Sequence, residues 1–228
     1  MRPIAENLQE IKGRIAQASA KAGRNPTEIQ MIAVTKYVGV ERMREAYSAG
    51  LTHFGESRTK DAKEKMEELS DLAITWHFIG HLQSNKVKEV LPSFAFIHSL
   101  DRLPLAVGLA KEAERLGIIP NCFIQVNVSG EESKFGIEPD QLLSFARQVR
   151  DIGNIRVVGL MTMAPNTREE GIIRPVFRRL RELQQELLDV GLERISPHFL
   201  SMGMSNDYEI AVEEGATHLR IGTALVGR

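Results

Sequence analysis

The 228-residue chain has one cysteine, Cys122, one tryptophan and three tyrosines. A single thiol permits no internal disulfide, no C-x-x-C pair and no cysteine-built zinc framework. It suits a reducing compartment, and the cytoplasm is the expected location. Neither charge is in excess: 29 Lys and Arg stand against 30 Asp and Glu, a net charge of -1. General nucleic-acid or membrane-surface binding needs a basic surplus, so no partner of either kind is expected. No segment approaches the roughly 20 apolar residues of a membrane span. The start, Met1-Arg2-Pro3-Ile4-Ala5-Glu6, lacks the apolar core of a signal peptide. Low-complexity stretches, Pro/Ser-rich linkers and shifts of composition are also missing, so residues 1–228 read as one domain. A chain of this length buries roughly 70–75% of its unfolded surface and needs no disulfide or structural metal.

What is present is a repeating pattern. Residues 3–22 carry Ile4, Leu8, Ile11 and Ile15 at helical spacing, with Gly23 as a stop signal. Apolar runs of strand length then follow at 29–35, 52–55, 75–80, 94–98, 121–128, 155–161, 198–201 and 217–221. Amphipathic segments near 41–49, 57–70, 83–90, 102–116, 139–151, 168–190 and 206–214 separate them. Runs such as Ile124-Gln125-Val126-Asn127-Val128 lack strict alternation, which suits parallel strands covered on both faces. Alternating strands and helices imply a parallel sheet with right-handed crossovers. Eight units favour a closed (βα)8 TIM barrel over an open sheet, with the leading helix as an addition.

In such a barrel the chemistry collects at the C-terminal ends of the strands. The seventh strand runs into Ser201-Met202-Gly203-Met204-Ser205 and the eighth into Gly222-Thr223. Barrels often bind phosphate at these two loops, through backbone N–H groups and hydroxyls. Gly203 and Gly222 would allow close backbone approach, although glycines also simply make turns. Lys36 follows the apolar run Met31–Val34. There it is either a partly desolvated amine fit for a Schiff base or a lysine whose charged head reaches solvent. Arg220 interrupts a small apolar strand and needs a partner, either a ligand ring nitrogen or an acidic side chain.

His77 and His81 are four apart on a strand-like segment, and no third residue stands at metal-ligand spacing, so no metal is expected. His98 and His198 read as hydrogen-bonded strand residues. Met161, Met163, Met202 and Met204 read mostly as core fillers. Cys122 lies early in its strand, away from the catalytic end. Around Arg174–Arg194 a solvated helix would bury Val176, Leu180, Leu183 and Leu187.

The segments Ala33-Val34-Thr35-Lys36, Phe54-Gly55-Glu56, Trp76-His77-Phe78-Ile79-Gly80-His81-Leu82-Gln83, Gln125-Val126-Asn127-Val128-Ser129, Ser133-Lys134-Phe135-Gly136, Ser201-Met202-Gly203-Met204-Ser205 and Arg220-Ile221-Gly222-Thr223 resemble the pyridoxal phosphate homeostasis protein family over nearly the whole chain. The resemblance implies a single barrel like the N-terminal domain of alanine racemase, fold type III. It implies pyridoxal 5'-phosphate (PLP) bound as an internal aldimine on Lys36. Ser201, Gly203, Gly222 and Thr223 would contact the phosphate, and Arg220 would lie near the pyridine nitrogen. The implied role is to carry or buffer PLP in vitamin B6 homeostasis and to influence amino-acid and keto-acid balance, without established turnover. PLP-dependent apoenzymes are the implied acceptors. Many members place Asn after Phe-Gly-Glu and Gln three residues later; here Ser57 and Lys60 stand there. Ser57 is shorter and is carried over as a weaker cofactor contact.

The alternative is a PLP-dependent racemase-like enzyme. Racemisation needs acid-base groups on both faces of a carbanion. In alanine racemase one of them is a tyrosine from a further domain, and no such domain is expected in this chain. Tyr37 is expected to point away from Lys36, since strand neighbours alternate. Tyr47 falls in a helix, and for Tyr208 an approach to the mouth is open but nothing in the sequence shows it. A sugar-phosphate aldolase using Lys36 would need its own positioned acid-base partner. Nothing in the pattern demands a dimer, and a monomer is expected.

Overall fold

A computed structural model describes residues 2–227; Met1 and Arg228, included in the expected domain span, lie outside the described residues. Helix α1 (Ile4–Lys21) precedes the barrel. There follow β1 (Gln30–Val34), α2 (Val40–Ser48), β2 (His53–Glu56), α3 (Thr59–Glu68), β3 (Thr75–Phe78), α4 (Val87–Val90), β4 (Phe96–Leu100) and α5 (Leu103–Leu116). The second half comprises β5 (Asn121–Gln125), α6 (Leu142–Ile152), β6 (Arg156–Met161), α7 (Glu170–Val190), β7 (Ile195–Ser201), α8 (Tyr208–Glu213), β8 (His218–Ile221) and α9 (Thr223–Val226). The eight strands form a closed barrel in chain order, and β8 pairs in parallel with β1. The expected (βα)8 barrel with an extra N-terminal helix is therefore the observed architecture.

The helices follow from their apolar stripes. On α1, Ile4, Leu8, Ile11 and Ile15 are buried, and the helix packs on α8 and α9. On α7, Val176, Leu180, Leu183 and Leu187 are buried with Ile173 and Phe177. Each such aliphatic side chain contributes about 1.5–3 kcal/mol on burial. α9 was not legible as a helix, because four residues are too few to show a period. Its last carbonyls are held from outside: Asn7 Nδ2 donates to Leu225 O at 2.9 Å and Arg42 Nε to Val226 O at 3.0 Å. Side chains of α1 and α2 thus replace the hydrogen bonds that a helix end lacks.

Strand boundaries shift by two or more residues in four places, the simplest being β3, which ends at Phe78, short of 80. β7 begins at Ile195, ahead of the expected start at 198, and carries Pro197 at a register shift between its pairings with Val157 and Gly159. Proline has no N–H to give the ladder and is tolerated at such an irregularity. β5 ends at Gln125, short of 128. Beyond it Asn127 N–H bonds instead to Ile137 O at 2.9 Å. The fourth strand is displaced from 94–98 to 96–100.

Apolar side chains between strands and helices form the main core. Inside the barrel, Phe123, Val158 and Met161 cluster with Phe96 and Met163. The interior is not wholly apolar. His77, His98, Ser201 and Arg220 are buried there, where branched aliphatic residues usually dominate.

Candidate functional site

A cavity of about 280 Å³ opens at the C-terminal ends of the strands. Lys36, Ser57, Arg220, Gly222 and Thr223 line it, together with Ser205 and Asp207. Five of the seven expected site residues therefore meet at one place. Ser201 and Gly203 are not on its wall.

Lys36 is exposed, so of the two sequence readings it is the lysine whose charged head reaches solvent that is found. β1 ends at Val34, and Val38 N–H bonds to Thr35 O at 3.1 Å. Lys36 and Tyr37 are thus the central residues of a turn. Strand alternation no longer applies there, and the Lys36 ammonium lies 5.0 Å from the Tyr37 ring centroid. Tyr37 accompanies the lysine instead of pointing away from it. The base of the turn is clamped. Thr35 Oγ1 donates to Glu56 Oε1 at 2.7 Å, and Lys65 Nζ donates to Glu56 Oε1 and to Thr35 O, both at 2.8 Å. Glu56 is fully buried. In the sequence Glu56 belongs to the Phe54-Gly55-Glu56 motif without a task of its own, and Lys65 carries no signal. An acid closing an apolar strand was the available signal.

Arg220 is buried, and burial lowers its pKa to about 10, so it remains a cation at neutral pH. Its Nη1 donates to Ser201 Oγ at 2.5 Å and its Nη2 to Thr162 O at 2.9 Å. Among the described residues no carboxylate lies within ion-pairing distance of it. The structural ion pair weighed from sequence is absent there.

Ser201 is fully buried, with its hydroxyl engaged by Arg220 and, at 2.9 Å, by His98 Nδ1. It supports Arg220 from below and has no surface on the cavity. Gly203 has φ +92°, and a Cβ there would meet Ala211 Cβ at 2.5 Å. Packing against α8 leaves no room for a side chain there. Gly222 caps α9 and would place a Cβ in ordinary contact with Val34 at 3.5 Å. Ser205 Oγ accepts from Ala224 N–H at 3.3 Å and ties the seventh loop to the eighth. Asp207 Oδ1 accepts from Met204 N–H at 2.5 Å and shapes the same loop. Burial raises the Asp207 pKa, and the Met204 N–H and the Arg220 charge pull it back.

The other candidates separate by place. Tyr47 lies in α2. Tyr208 is buried at the start of α8, under the Arg14 guanidinium at 5.3 Å. His81 stacks on Phe135 with ring centroids 3.9 Å apart, and His198 is exposed. The described residues contain no group of three or more potential metal ligands. Cys122 is buried, which pushes its thiol up to about 12 and leaves it protonated. Met161 and Met202 fill the core, while Met204 lines the cavity. No described helix is long and apolar enough to cross a membrane.

A closed parallel barrel, a leading helix and a lysine just past the first strand define a class: barrels built like the N-terminal domain of alanine racemase. The family model for that domain matches residues 6–228. An alanine racemase from Clostridium difficile superposes with a TM-score of 0.78, covering 98% of this chain and 56% of that one, and at 13% identity it shares the fold alone. PipY of Synechococcus elongatus, solved with PLP bound, superposes at a TM-score of 0.86 with 35% identity, covering 98% of this chain and 100% of PipY. A pyridoxal phosphate homeostasis protein of Aquifex aeolicus is 44% identical over 225 residues, 97% of this chain and 96% of its own length. One from Escherichia coli is 38% identical over 235 positions, covering 100% of this chain and 97% of the relative. The chain belongs to the pyridoxal phosphate homeostasis protein family.

Proposed function

We propose that this protein binds PLP in the cavity at the barrel mouth, held covalently by the Lys36 amine, and serves intracellular PLP homeostasis without catalytic turnover of its own. The observation that carries the reading is Arg220: a buried guanidinium on the cavity wall, bonded only to a hydroxyl and a carbonyl. A cation so placed favours an acceptor ligand over bare water. The names of the Aquifex aeolicus and Escherichia coli relatives support the role, and the PLP-bound PipY supports the ligand.

The residues fit the parts of such a ligand. Lys36 offers an amine to an aldehyde. The Ser205 hydroxyl, Gly222 and Thr223 lie where the seventh and eighth loops meet, and a phosphate would sit against them. Ser57, also on the cavity wall, would add a short polar contact. Arg220 stays protonated, so a pyridine nitrogen facing it would remain an unprotonated acceptor, and the ring a weak electron sink. That suits carriage of the cofactor better than carbanion chemistry. The exposure of Lys36 and Tyr37 leaves the covalent bond open to water and to acceptor apoenzymes. Carriage by one domain, residues 1–228, acting as a monomer in the cytoplasm, belongs to the same reading, as does an influence on amino-acid and keto-acid balance.

The test is the visible absorption spectrum of the purified protein with PLP, then borohydride reduction and peptide mass mapping. A yellow protein with its pyridoxyl adduct on Lys36 is expected. A protein that stays colourless with added PLP overturns the reading. Turnover of an amino acid by the yellow protein would overturn only the non-catalytic part.

A further inference from the structure

Arg220 lines the cavity, but the two groups that hold its guanidinium, Ser201 Oγ and Thr162 O, do not. The two supports differ in stiffness. Thr162 O belongs to the backbone, and Thr162 is pinned by its N–H on Ser201 O at 3.2 Å and by its hydroxyl on Val126 O at 2.8 Å. The Ser201 hydroxyl can rotate, and a second partner must fix it. That partner is His98, whose Nδ1 lies 2.9 Å from Ser201 Oγ, and both residues are fully buried. Behind His98 stand His77, its Nδ1 2.9 Å from His98 Nε2, and then the half-buried His53, its Nδ1 2.9 Å from His77 Nε2. Phe123 stacks on His98 at 4.2 Å and Phe96 on His77 at 4.7 Å, which holds the ring planes.

Donor chemistry fixes the hydrogens of this seat. Arginine only donates, so Ser201 Oγ accepts from it. The Ser201 proton then has one acceptor in reach, His98 Nδ1. His98 therefore carries its own proton on Nε2 and donates it to His77 Nδ1, and His77 donates from Nε2 to His53 Nδ1. With a proton on His98 Nδ1 instead, Ser201 Oγ would face two donors and its hydroxyl proton would be buried without an acceptor, which is costly. The ring is also neutral at pH 7: burial, then His77, Arg220 and His218, hold His98 well below the usual imidazole value. Neutrality matters for Arg220. A carboxylate in the place of His98 could accept from Ser201 too, but it would set a negative charge one hydroxyl away from the guanidinium. A neutral imidazole fixes the hydroxyl and leaves the cation uncompensated.

We propose that His98 is a positioning residue for Arg220: as a neutral Nε2–H imidazole backed by His77, it orients the Ser201 hydroxyl and so holds the guanidinium, uncompensated, at the cavity wall. His98 touches no ligand and moves no proton; it acts through Ser201. What this positioning serves rests on Arg220 meeting PLP, as proposed above. The positioning itself is a property of the chain with or without the cofactor.

The test first uses nitrogen-15 NMR of the full chain without added PLP. The native protein should show His98 as the Nε2–H tautomer and the Arg220 Nη protons as separate, slowly rotating signals. An Nδ1–H tautomer at His98 overturns the proposal, and this measurement needs no variant. In His98→Leu, and equally in Ser201→Ala, the Arg220 signals should average. In His98→Asn, whose amide oxygen replaces the Nδ1 acceptor, they should stay separate. Signals that stay separate in His98→Leu mean that the ring does not hold Arg220, and the proposal fails. PLP titrations follow. His98→Leu should bind PLP about tenfold more weakly and shift the visible absorption band, while His98→Asn stays within about threefold of native. In a Ser201→Ala background His98→Leu should cost less than about twofold more, because it acts through Ser201. An equal loss in both backgrounds is general structural damage and overturns the proposal. Native affinity and a native band in His98→Leu, with its Arg220 signals averaged, would leave the positioning standing and overturn instead the meeting of Arg220 with PLP.

Discussion

Arg220 Nη1 and Ser201 Oγ are 2.5 Å apart beneath the barrel mouth, and both residues are buried. The hydroxyl holds the guanidinium at the cavity wall, where Asp207 also lies. Arg220→Ala should weaken PLP binding by about 10–150-fold, the equivalent of the 1.5–3 kcal/mol of a bond to a charged group. It should also move the visible absorption maximum and its pH titration. Titrating the variant with PLP checks both, and native affinity with a native spectrum would remove Arg220 from the cofactor.

Lys36 projects from a turn clamped at its base and is itself free of packing. Lys36→Ala should therefore fold normally and keep phosphate-driven PLP affinity while losing the borohydride-trapped adduct. A pyridoxyl adduct formed in the variant at native yield would place the anchor elsewhere.

Glu56 and Lys65 form a buried ion pair at 2.8 Å behind that turn. Removing one partner leaves the other charge without compensation, at a cost of about 3–5 kcal/mol. Glu56→Ala should lose stability on that scale in urea unfolding. The double variant Glu56→Leu with Lys65→Met should recover much of the loss. A single variant within about 1 kcal/mol of the native protein would show the clamp to be dispensable.

Gly203 has a φ of +92°, and a Cβ there would meet Ala211 Cβ at 2.5 Å, so packing alone demands glycine. Gly203→Ala should destabilise the fold by about 2–4 kcal/mol, from left-handed strain and overpacking together. Thermal unfolding reads this directly. Unchanged stability with lost PLP binding would instead return the residue to the ligand.

Burial depresses the folded-state pKa of His77, His98 and His218, the last to about 4. In the unfolded chain each returns to about 6.5. Below that value the unfolded state binds protons that the folded state refuses, so stability is present above pH 6.5 and falls on acidification. The slope is about 1.4 kcal/mol per pH unit for each such histidine. Urea midpoints at pH 7 and pH 5 test the sign, and a midpoint as high at pH 5 as at pH 7 contradicts it.

Legibility in the sequence followed the range of the interactions. Eight strand-helix units, the stripe Ile4, Leu8, Ile11, Ile15 and the buried face of α7 are periodicities of neighbouring residues, and all are found. Lys36 and Arg220 were legible because each breaks a local apolar pattern. Their surroundings were not. Whether Lys36 is exposed depends on where β1 stops, and whether Arg220 has an acidic partner depends on chains far along the sequence.

The amino-acid sequence by itself determined the class of fold, the number of its units and the end of the barrel where its polar residues gather, because hydrophobic period and loop composition are local. Only closure of the barrel decided that Ser201 faces Arg220 and His98 and not the cavity, that Asp207 joins the wall, and that His53, His77 and His98 touch in a line. These residues come from β2, β3, β4, β7, β8 and the loop after β7. Hydrogen bonds act over about 3 Å, so no spacing along the chain announces a bond between residues 98 and 201. The ring of strands brings them together, and the buried polar groups then take the partners that remain within reach.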